Sequence, residues 1–438
     1  MMTIFWHRRD LRIEDNSGLY HALKSEQNVQ PIFIFDTNIL SKLSNKADPR
    51  VSFIHQELEK LQLELSEYGA EIWIFKGTPA NIFKDLLEKH DIRNVYTNRD
   101  YESYAINRDQ GVKQILKKQN VDLHTFKDHV IFEGDEVLKK DGLPYTVFTP
   151  YKKIWLAKLE STRMDKELFY FKSYPTKHYA SRFAQASCID YRCTLNDIGF
   201  KQTQQLFPPK LVSKKIISKY ADDRDFPAIN GTSKLGIHFR FGTISIREKA
   251  RKALKLSNTY LSELIWRDFY SQILQHFPHV EKNAFRSKYE RVQWRNNEDE
   301  FDAWCQGQTG YPIVDAGMRE LNAIGHMHNR VRMIVASFLT KHLLIDWRWG
   351  EAYFAEKLLD FDLASNNGGW QWAAGCGTDA APYFRIFNPT SQMEKFDKGR
   401  LYIKKWVPEW GTDGYTEPIV DHKFARERCL ATYKEALN

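Results

Sequence analysis

Two tryptophans, a pair of glycines and a run of polar residues fall within one segment, NNGGWQWAAGCGTDAAPYFRIFN, from Asn366 to Asn388. Trp370 and Trp372 stand two apart where no strand-like alternation continues, so a plain core role explains them poorly. Flat π-faces presented on a pliable, glycine-containing backbone suit a planar ligand. From these residues alone, stacking on a ligand and packing in a core are both open.

A second candidate lies in the segment ELIWRDFY, where Glu263 and Trp266 are three apart. On a helix these two side chains share one face. A carboxylate in that position can hydrogen-bond the edge of a nucleobase while the indole stacks on its flat side. An ordinary amphipathic helix explains the same spacing, and taken alone the pattern favours that simpler interpretation.

A third candidate is the segment HMHNRVRM, in which Asn329 and Met333 lie four apart on a predicted helix beside Arg330 and Arg332. The amide can bind other amides, the thioether can pack on a ring, and a guanidinium can pair with phosphate or carboxylate. The candidate acidic partners for such an arginine are Asp360 and Asp362.

The segment GTSKLG at 231–236 offers small residues, hydroxyls and a lysine just before a helical region. Backbone N–H groups in such a segment can cradle a pyrophosphate. A surface turn explains the composition equally well. The segment therefore needs support from elsewhere in the chain.

Patterns for metals and disulfides are weak. His326 and His328 are two apart on a predicted helix and lack a nearby carboxylate trio, which favours surface or core histidines over a metal site. The five cysteines form an odd set without CxxC spacing, so neither a disulfide framework nor a zinc site is indicated, and we expect reduced thiols. They are Cys188, Cys193, Cys305, Cys376 and Cys429.

Composition fits a two-domain protein that binds flat, anionic ligands. The chain has 438 residues, 64 Lys and Arg against 56 Asp and Glu, and 14% aromatic residues. The basic balance permits a polyanionic partner without requiring one. In the N-terminal MMTIFWHRRDLR the charged residues follow too few apolar residues for a signal peptide. No run approaches the ~20 apolar residues of a membrane span. We therefore expect a soluble, cytoplasmic protein.

Strand-like and helix-like patterns alternate through the first 126 residues. Strands are predicted at 3–7, 31–36, 71–75, 94–98 and 121–126, with helices at 51–68, 80–90 and 104–118. This alternation predicts an α/β fold with a Rossmann-like parallel sheet. Neither GxGxxG nor GxxxxGK[ST] follows any of these strands, so the pattern does not support a dinucleotide or P-loop site here.

The second half of the chain is predicted to be helical. From 128 to 207 the pattern is irregular, which suits a long connection, and helical periodicity then dominates at 260–277, 316–342 and 349–359. The predicted domains are 1–128 (α/β), 129–205 (interdomain connection) and 206–438 (all-helical).

Seven segments together resemble the photolyase and cryptochrome family, specifically the class I cyclobutane pyrimidine dimer photolyases. They are FWHRRDLRIEDN, RDFPAINGTSKL, ELIWRDFY, TGYPIVDAGMREL, HMHNRVRM, LLIDWRWGE and NNGGWQWAAGCGTDAAPYFRIFNPTSQ. The resemblance covers nearly the whole chain in the family's order. It implies an N-terminal α/β antenna domain, a helical FAD-binding domain, and repair of thymine dimers in DNA by light-driven electron transfer from reduced FAD. The protein would then be a carbon–carbon lyase.

The resemblance also assigns FAD contacts. The positions matching those that hold the FAD phosphates are Tyr220, Thr232, Ser233, Lys234, Leu235 and Gly236. Gly236 departs from the usual Ser, so a backbone contact survives there and a hydroxyl contact does not. The positions matching the flavin contacts are Asn366, which would face N5, the ion pair of Arg332 and Asp360, and the neighbouring Asp362.

The lesion pocket is carried over in the same way. It matches Glu263, Trp266, Asn329, Met333 and Trp372, and the DNA phosphate contacts match Arg224, Arg330 and Arg385. Flipping out a damaged base costs a few kcal/mol, and stacking returns about 1–3 kcal/mol per base. The arginines supply salt-sensitive affinity that does not depend on sequence. The expected partner is UV-damaged DNA, single- or double-stranded, bound by a monomer.

The family's tryptophan chain for photoactivation of oxidised flavin matches Trp370, Trp347 and Trp294. A second, light-harvesting chromophore is possible. Folate is doubtful, because Tyr104 and Ala105 stand where folate-binding members have an Asn-Glu pair. His326 also stands where a close relative has Trp.

Other functions remain as alternatives. A cryptochrome keeps FAD as a blue-light photoreceptor without repair; the set of Glu263, Asn329, Met333 and Trp372 argues against it, as does the lack of a long C-terminal tail. A (6-4) photolyase fits WQW and HNRVRM less well. A light-independent flavoprotein or nucleic-acid binder would not need this pocket.

Overall fold

A computed structural model describes residues 1–164, 167–187 and 191–438 of the chain. The described residues form two compact units. The first, here called the α/β unit, comprises Met1–Glu133, Ala157–Lys210 and Leu235–Lys252. The second, the helical unit, comprises Gly134–Leu156, Leu211–Lys234 and Ala253–Asn438.

The α/β unit is built on a five-stranded parallel sheet in the order β3-β2-β1-β4-β5. Its strands are β1 (Met2–His7), β2 (Val29–Asp36), β3 (Trp73–Gly77), β4 (Ile92–Asn98) and β5 (Asp122–Phe126). A separate antiparallel pair joins β6 (Arg163–Met164) to β7 (Glu167–Leu168). All eight residues of β2, which lies between β3 and β1, are buried, as expected where helices cover both faces of a parallel sheet.

Helices account for most of the remaining structure. They are α1 (Ser17–Ser25), α2 (Thr37–Leu40), α3 (Pro49–Ser66), α4 (Pro79–Lys89), α5 (Ser103–Lys117), α6 (Phe148–Ser161), α7 (Lys214–Ser218), α8 (Tyr220–Asp223), α9 (Gly236–Arg240), α10 (Ile246–Leu256), α11 (Asn258–His276), α12 (Glu298–Gln306), α13 (Pro312–Ile324), α14 (Asn329–Ser337), α15 (Trp347–Lys357), α16 (Leu363–Ala374), α17 (Pro389–Phe396), α18 (Leu401–Trp406) and α19 (His422–Leu437). A π-helical turn, Phe338–His342, continues α14.

The five predicted strands and the parallel sheet are confirmed. The prediction passed over α1, although the segment carries a helix start signal: the side chain of Asn16 accepts a hydrogen bond from the N–H of Leu19 at the N-cap. The three helices predicted in this unit, α3, α4 and α5, agree with their predicted bounds to within two residues, whereas α2, α9 and α10 were not predicted.

The region from 128 to 207 is less irregular than its sequence predicts, because it contains α6. Trp155 on this helix is fully buried, and its indole Nε1 donates to the carboxylate of Asp268 at 3.0 Å. Proline and tyrosine residues near the start of α6 masked the helical pattern. The start of α6 therefore belongs to the core of the helical unit.

The predicted helix over 316–342 is in fact two helices. Gly325 ends α13 in the left-handed conformation at φ +61°, a conformation that glycine adopts without strain. The chain then turns through His326–His328 before α14 starts at Asn329. His326 and His328 thus lie in a link between helices, and the prediction that placed them on a helix is wrong.

Within the described residues, no helix has the length and apolar character to cross a membrane. The same part of the chain contains no cluster of three His, Cys, Asp or Glu side chains able to hold a metal ion. Cys193, Cys305, Cys376 and Cys429 are buried free thiols, and Cys188 lies outside the described residues.

Candidate active site in the helical unit

A cavity of about 490 Å³ opens in the helical unit, within the size range of pockets for small molecules and cofactors. Eleven of the residues predicted to act in the site line it: Arg224, Glu263, Trp266, Asn329, Arg332, Met333, Asp360, Asp362, Asn366, Trp370 and Trp372. They come from widely separated parts of the sequence, so the fold alone brings them together. One cavity therefore combines indole faces, amides, carboxylates and guanidinium groups.

Helix α11 places Glu263 and Trp266 in the wall of the cavity, followed one turn later by Tyr270. Trp266 lies flat on Phe148 of α6, with ring centroids 3.7 Å apart and an interplanar angle of 7°. The backbone N–H of Phe148 donates to Asp379 at 3.2 Å, which fixes the start of α6. One face of the Trp266 indole is thus covered by protein, and stacking of a ligand has to use the other.

The start of α14 is held by His328. Its Nδ1 accepts a hydrogen bond from the backbone N–H of Arg330 at 3.2 Å. Burial lowers the pKa of His328 to about 4, so the ring is neutral near pH 7 and able to accept this bond. The cap orients the first turns of α14, which carry Asn329 and Met333 in the cavity wall.

Two polar contacts shape the part of the cavity formed by α14, α15 and α16. Nη2 of Arg332 donates to both carboxylate oxygens of Asp360, at 3.1 and 3.0 Å. The amide nitrogen of Asn366 donates to the backbone oxygen and to Oε1 of Glu351, at 3.1 and 2.8 Å. Both N–H groups of the amide are used in this way, so Asn366 presents its carbonyl oxygen to a ligand as an acceptor.

The glycine pair before Trp370 is not a hinge, because Gly368 and Gly369 lie inside the continuous helix α16. A Cβ at Gly368 would overlap the ring of Tyr270. A Cβ at Gly369 would meet no neighbouring heavy atom within 4 Å among the described residues, and Gly369 lines the cavity. The two glycines therefore do different things: one admits a close helix contact and the other leaves ligand space open.

Ion pairs occupy two of the predicted DNA-binding arginines. Nη1 of Arg224 contacts Oε1 of Glu263, and Nη2 of Arg330 donates to Oδ1 of Asp225 at 2.7 Å. Burial raises the pKa of the Glu263 carboxyl, and the neighbouring Arg224 offsets this only in part. The third predicted contact, Arg385, is exposed and lies over the ring of Phe387 at 5.6 Å.

Comparisons with known proteins identify the family. The description "DNA photolyase" matches residues 3–168, and "FAD binding domain of DNA photolyase" matches residues 260–412. The deoxyribodipyrimidine photo-lyase of Synechococcus sp. is 36% identical over 99% of this chain and 96% of its own length. The enzyme of that name from Escherichia coli is 36% identical over 99% of this chain and 98% of its own. The chain belongs to the photolyase and cryptochrome family.

Solved structures agree with this assignment. A bacterial class III photolyase from Agrobacterium tumefaciens matches with a TM-score of 0.84 and 32% identity, over 99% of this chain and 97% of that one. An archaeal photolyase from Sulfolobus tokodaii, described with two FAD molecules, matches with a TM-score of 0.83 and 33% identity over 99% and 100%. The predicted photolyase family, fold class, DNA-repair function and FAD cofactor are confirmed, and class I stays a prediction.

The cavity of this photolyase fits the isoalloxazine part of FAD by its own chemistry. It offers a guanidinium held by Asp360, the acceptor oxygen of Asn366, and open space above Gly369. A positive side chain suits an anionic ring, and an acceptor suits a ring N–H. These three features suit a reduced, anionic flavin ring.

The cavity lining does not include the predicted phosphate segment of the photolyase. Tyr220 and residues 232–236 are not among the described residues that line the cavity. The hydroxyl of Tyr260 donates to Oγ of Ser233 at 3.1 Å, and Lys234 adopts a left-handed backbone conformation with φ +52°. Their role as FAD phosphate contacts stays a prediction.

The photolyase tryptophans are placed differently from one another. Trp370 and Trp347 are both 2% exposed in the core of the helical unit, and Trp294 is half-buried and packs against that core. Trp370 lies edge-on to Phe354, with centroids 5.0 Å apart. Trp370 also lines the cavity, and the role of the three tryptophans as an electron relay stays a prediction.

Ligands of parallel sheets usually bind beyond the carboxyl ends of the strands, at the point where the strand order reverses. At that point this sheet has little space for a second chromophore. The cavity beside β1 and β4 measures about 10 Å³, the size of one water molecule. In the same unit, the hydroxyl of Tyr104 donates to Asp36 at 2.5 Å, and Ala105 is buried. A ring system does not fit into the small cavity as its side chains are arranged.

Phe148 and the carboxylates Asp225 and Glu351 were not predicted from the sequence. Each touches a predicted site residue: Phe148 stacks on Trp266, Asp225 pairs with Arg330, and Glu351 accepts from Asn366. Nothing in the local pattern around them signals a site. Only the three-dimensional arrangement relates them to it.

Proposed function

We propose that this protein reverses cyclobutane pyrimidine dimers in UV-damaged DNA with light, by means of reduced FAD. One observation carries the proposal: the predicted lesion residues and the predicted flavin residues line a single cavity. FAD, when bound, supplies the photoexcited electron, and the redox chemistry belongs to the cofactor. The protein binds, orients and shields the two reactants.

The flavin end of the cavity is assigned to Arg332, Asp360, Asp362 and Asn366. Arg332 offers positive charge to the ring, and Asp360 holds Arg332 in place through both of its oxygens. Asp362 caps α16 by accepting from the N–H of Ser365 at 3.2 Å, which fixes the helix that carries Asn366. Asn366 then holds a ring N–H through its carbonyl oxygen.

The lesion end is assigned to Glu263, Trp266, Asn329, Met333 and Trp372. The free face of Trp266 and the indole of Trp372 stack on the flipped bases. Glu263 and Asn329 bind polar base edges, and Met333 packs on the ring. Undamaged, paired bases stay in the duplex because flipping them costs more than flipping a damaged pair.

The proposal is tested by incubating the purified holoprotein with UV-irradiated oligothymidylate in light and in the dark. We expect intact thymines to be restored under blue light and not in the dark. Absence of reversal in both samples would favour a cryptochrome or another flavoprotein, and reversal in the dark would exclude a photolyase mechanism. An absorption spectrum of the same sample tests for FAD and for any second chromophore.

Replacing Phe148 by Ala is expected to weaken binding of dimer-containing DNA by about two- to tenfold, the value of one aromatic stack. The reason is that Trp266 loses the ring that supports its covered face at 3.7 Å. Binding in the dark, followed by fluorescence anisotropy, measures the effect. Leu143→Ala is the matched control, because Leu143 is 57% exposed in the preceding segment. Equal affinities for Phe148→Ala and wild type would contradict the role given to the stack.

Replacing Trp294 by Phe is expected to slow photoactivation of oxidised flavin at least several-fold and to leave repair unchanged once the sample is chemically reduced. Phenylalanine is much harder to oxidise than tryptophan, so the outer end of the relay is lost. Absorption of the flavin under blue light follows the reduction. Trp406→Phe is the control, since Trp406 packs against the same core outside the proposed relay. Loss of repair in the reduced sample would refute a role confined to photoactivation.

We further propose that the protein acts as a monomer in the cytoplasm on both single- and double-stranded DNA. The basic balance of 64 Lys and Arg over 56 Asp and Glu supports a polyanionic partner. The lesion set around Glu263 supports repair rather than signalling. Size-exclusion chromatography tests the monomeric state, a comparison of both DNA forms tests the substrate range, and cell fractionation tests the location.

A further inference from the structure

The guanidinium of Arg224 has two competing partners. It is one of the proposed contacts to the DNA backbone, and in the DNA-free protein its Nη1 contacts Oε1 of Glu263. Arg224 and Glu263 are 29% and 31% exposed at their side chains, and both line the cavity. A phosphate that binds Arg224 therefore competes with the carboxylate proposed to bind the lesion.

The consequence for Glu263 depends on what fills the cavity. Burial raises the pKa of the Glu263 carboxyl, and Arg224, with a smaller contribution from Lys152, lowers it in part, so the charged carboxylate depends mainly on Arg224. If phosphate withdraws Arg224 while the cavity is empty, Glu263 either stays charged without a partner or takes up a proton. Both outcomes cost free energy at neutral pH. A lesion in the cavity gives Glu263 a base edge to bind and removes that cost.

Asp225 provides an internal contrast. Its Oδ1 accepts from Nη2 of Arg330 at 2.7 Å and lies 3.8 Å from Nε of Arg224. Unlike Glu263, Asp225 is not among the described residues that line the cavity, and its side chain is 37% exposed. Displacing it with phosphate therefore costs the same whether or not a lesion is bound.

We propose that Arg224 is a specificity-determining residue, which moves from Glu263 to a DNA phosphate when DNA binds. Tight contact with the DNA backbone then depends on a lesion that takes the place of Arg224 beside Glu263. The inference rests on the proposed function, because it takes Arg224 as a phosphate contact and Glu263 as a lesion contact. Undamaged DNA can take Arg224 only by leaving Glu263 without a partner. Discrimination thus arises partly at the backbone and not only from contacts inside the cavity.

The test uses the FAD-loaded protein in the dark, with fluorescent duplexes of one sequence, with and without a thymine dimer. Three substitutions remove the same negative charge: Glu263→Gln, Asp225→Asn and Asp222→Asn. Asp222 is exposed in the same segment and serves as the control for net charge. Dissociation constants are measured for each protein at several salt concentrations.

Glu263→Gln is expected to bind undamaged duplex about three- to tenfold more tightly than wild type, because Arg224 is released to the phosphate. Its preference for the dimer falls by at least the same factor. Asp225→Asn is expected to strengthen both complexes equally and to leave the preference unchanged. Asp222→Asn measures the small change in the dissociation constants that comes from removing one negative charge alone.

Arg224→Gln completes a double-mutant cycle. In the Arg224→Gln background, Glu263→Gln is expected to lose its effect on undamaged DNA. In the protein that keeps Arg224, Glu263→Asp retains the negative charge and is expected to discriminate better than Glu263→Gln. The inference is overturned if Glu263→Gln leaves undamaged binding at the level of Asp222→Asn, or if its effect survives without Arg224. If the wild-type protein neither prefers nor repairs dimer-containing DNA, the proposed function is wrong. The double-mutant cycle of Arg224 and Glu263 on undamaged duplex would still show whether phosphate and Glu263 compete for Arg224.

Discussion

Replacing Glu263 by Ala is expected to lower the repair yield per absorbed photon by on the order of tenfold while FAD stays bound. A hydrogen bond to a group that becomes charged is worth about 1.5–3 kcal/mol, and splitting of the dimer has to compete with return of the electron. Burial shifts the Glu263 carboxyl toward protonation and Arg224 opposes that shift. Once a lesion has replaced Arg224, the protonated form can donate to the charge developing on the dimer. The measurement is the quantum yield of repair at saturating DNA, with the flavin content determined from absorption.

Glu263→Gln distinguishes the hydrogen bond from the shape of the side chain. The amide has the same size and always carries donor hydrogens, so this variant is expected to retain most of the yield. Its yield is also expected to be independent of pH. In wild type the donor form is present below the raised pKa of Glu263, so the yield decreases as the pH rises through that value. Equal yields for the Ala and Gln variants would show that donation from this position does not matter.

The sequence predicted the α/β unit well because its signals are local. In β2 the run PIFIF is apolar throughout, and the structure buries the whole strand between layers. The start of α3 is equally clear, with Asp48 accepting from the N–H of Arg50 at the N-cap and Pro49 opening the helix. Patterns of this kind do not depend on distant residues.

The site was predicted mainly through the family resemblance, since its members come from distant parts of the chain. Spacing on one helix indicated the pair of Glu263 and Trp266, but nothing local links them to Asn366 or Arg332. The two-residue spacing of Trp370 and Trp372 indicated a special role but did not indicate helix α16, because the glycines before it are typical of turns.

Contacts between side chains were beyond the reach of the sequence. Phe148 lies in a stretch whose pattern is irregular, and its stack on Trp266 exists only because α6 packs beside α11. The same holds for the pairing of Arg224 with Glu263, which joins residues 39 positions apart. Periodicity identifies which face of a helix is apolar, but it cannot identify the residue that a polar side chain will meet.

Replacing Gly368 by Ala is expected to reduce the free energy of unfolding by about 1–3 kcal/mol, the usual cost of forcing a group into a packed site. The added Cβ would overlap the ring of Tyr270 on α11, so α16 or that ring has to move. Tyr270 lies 5.4 Å from Trp266 between ring centroids, and a shift of this ring disturbs the surface proposed to stack on the lesion. Denaturant unfolding and dark binding of dimer DNA measure the two effects together.

Gly369→Ala is the matched control, because it makes the same change one residue further along the same helix. There the new methyl group meets no described heavy atom within 4 Å, and exchanging Gly for Ala inside a helix stabilises by up to about 1 kcal/mol. The two variants are therefore expected to shift the stability of the FAD-free protein in opposite directions. Because Gly369 lines the cavity, its methyl group is also expected to weaken FAD retention, an effect that Gly368→Ala reaches only through displaced side chains. If both variants gained stability and kept FAD equally, neither the close contact at Tyr270 nor the open space above Gly369 would explain why the helix carries two adjacent glycines.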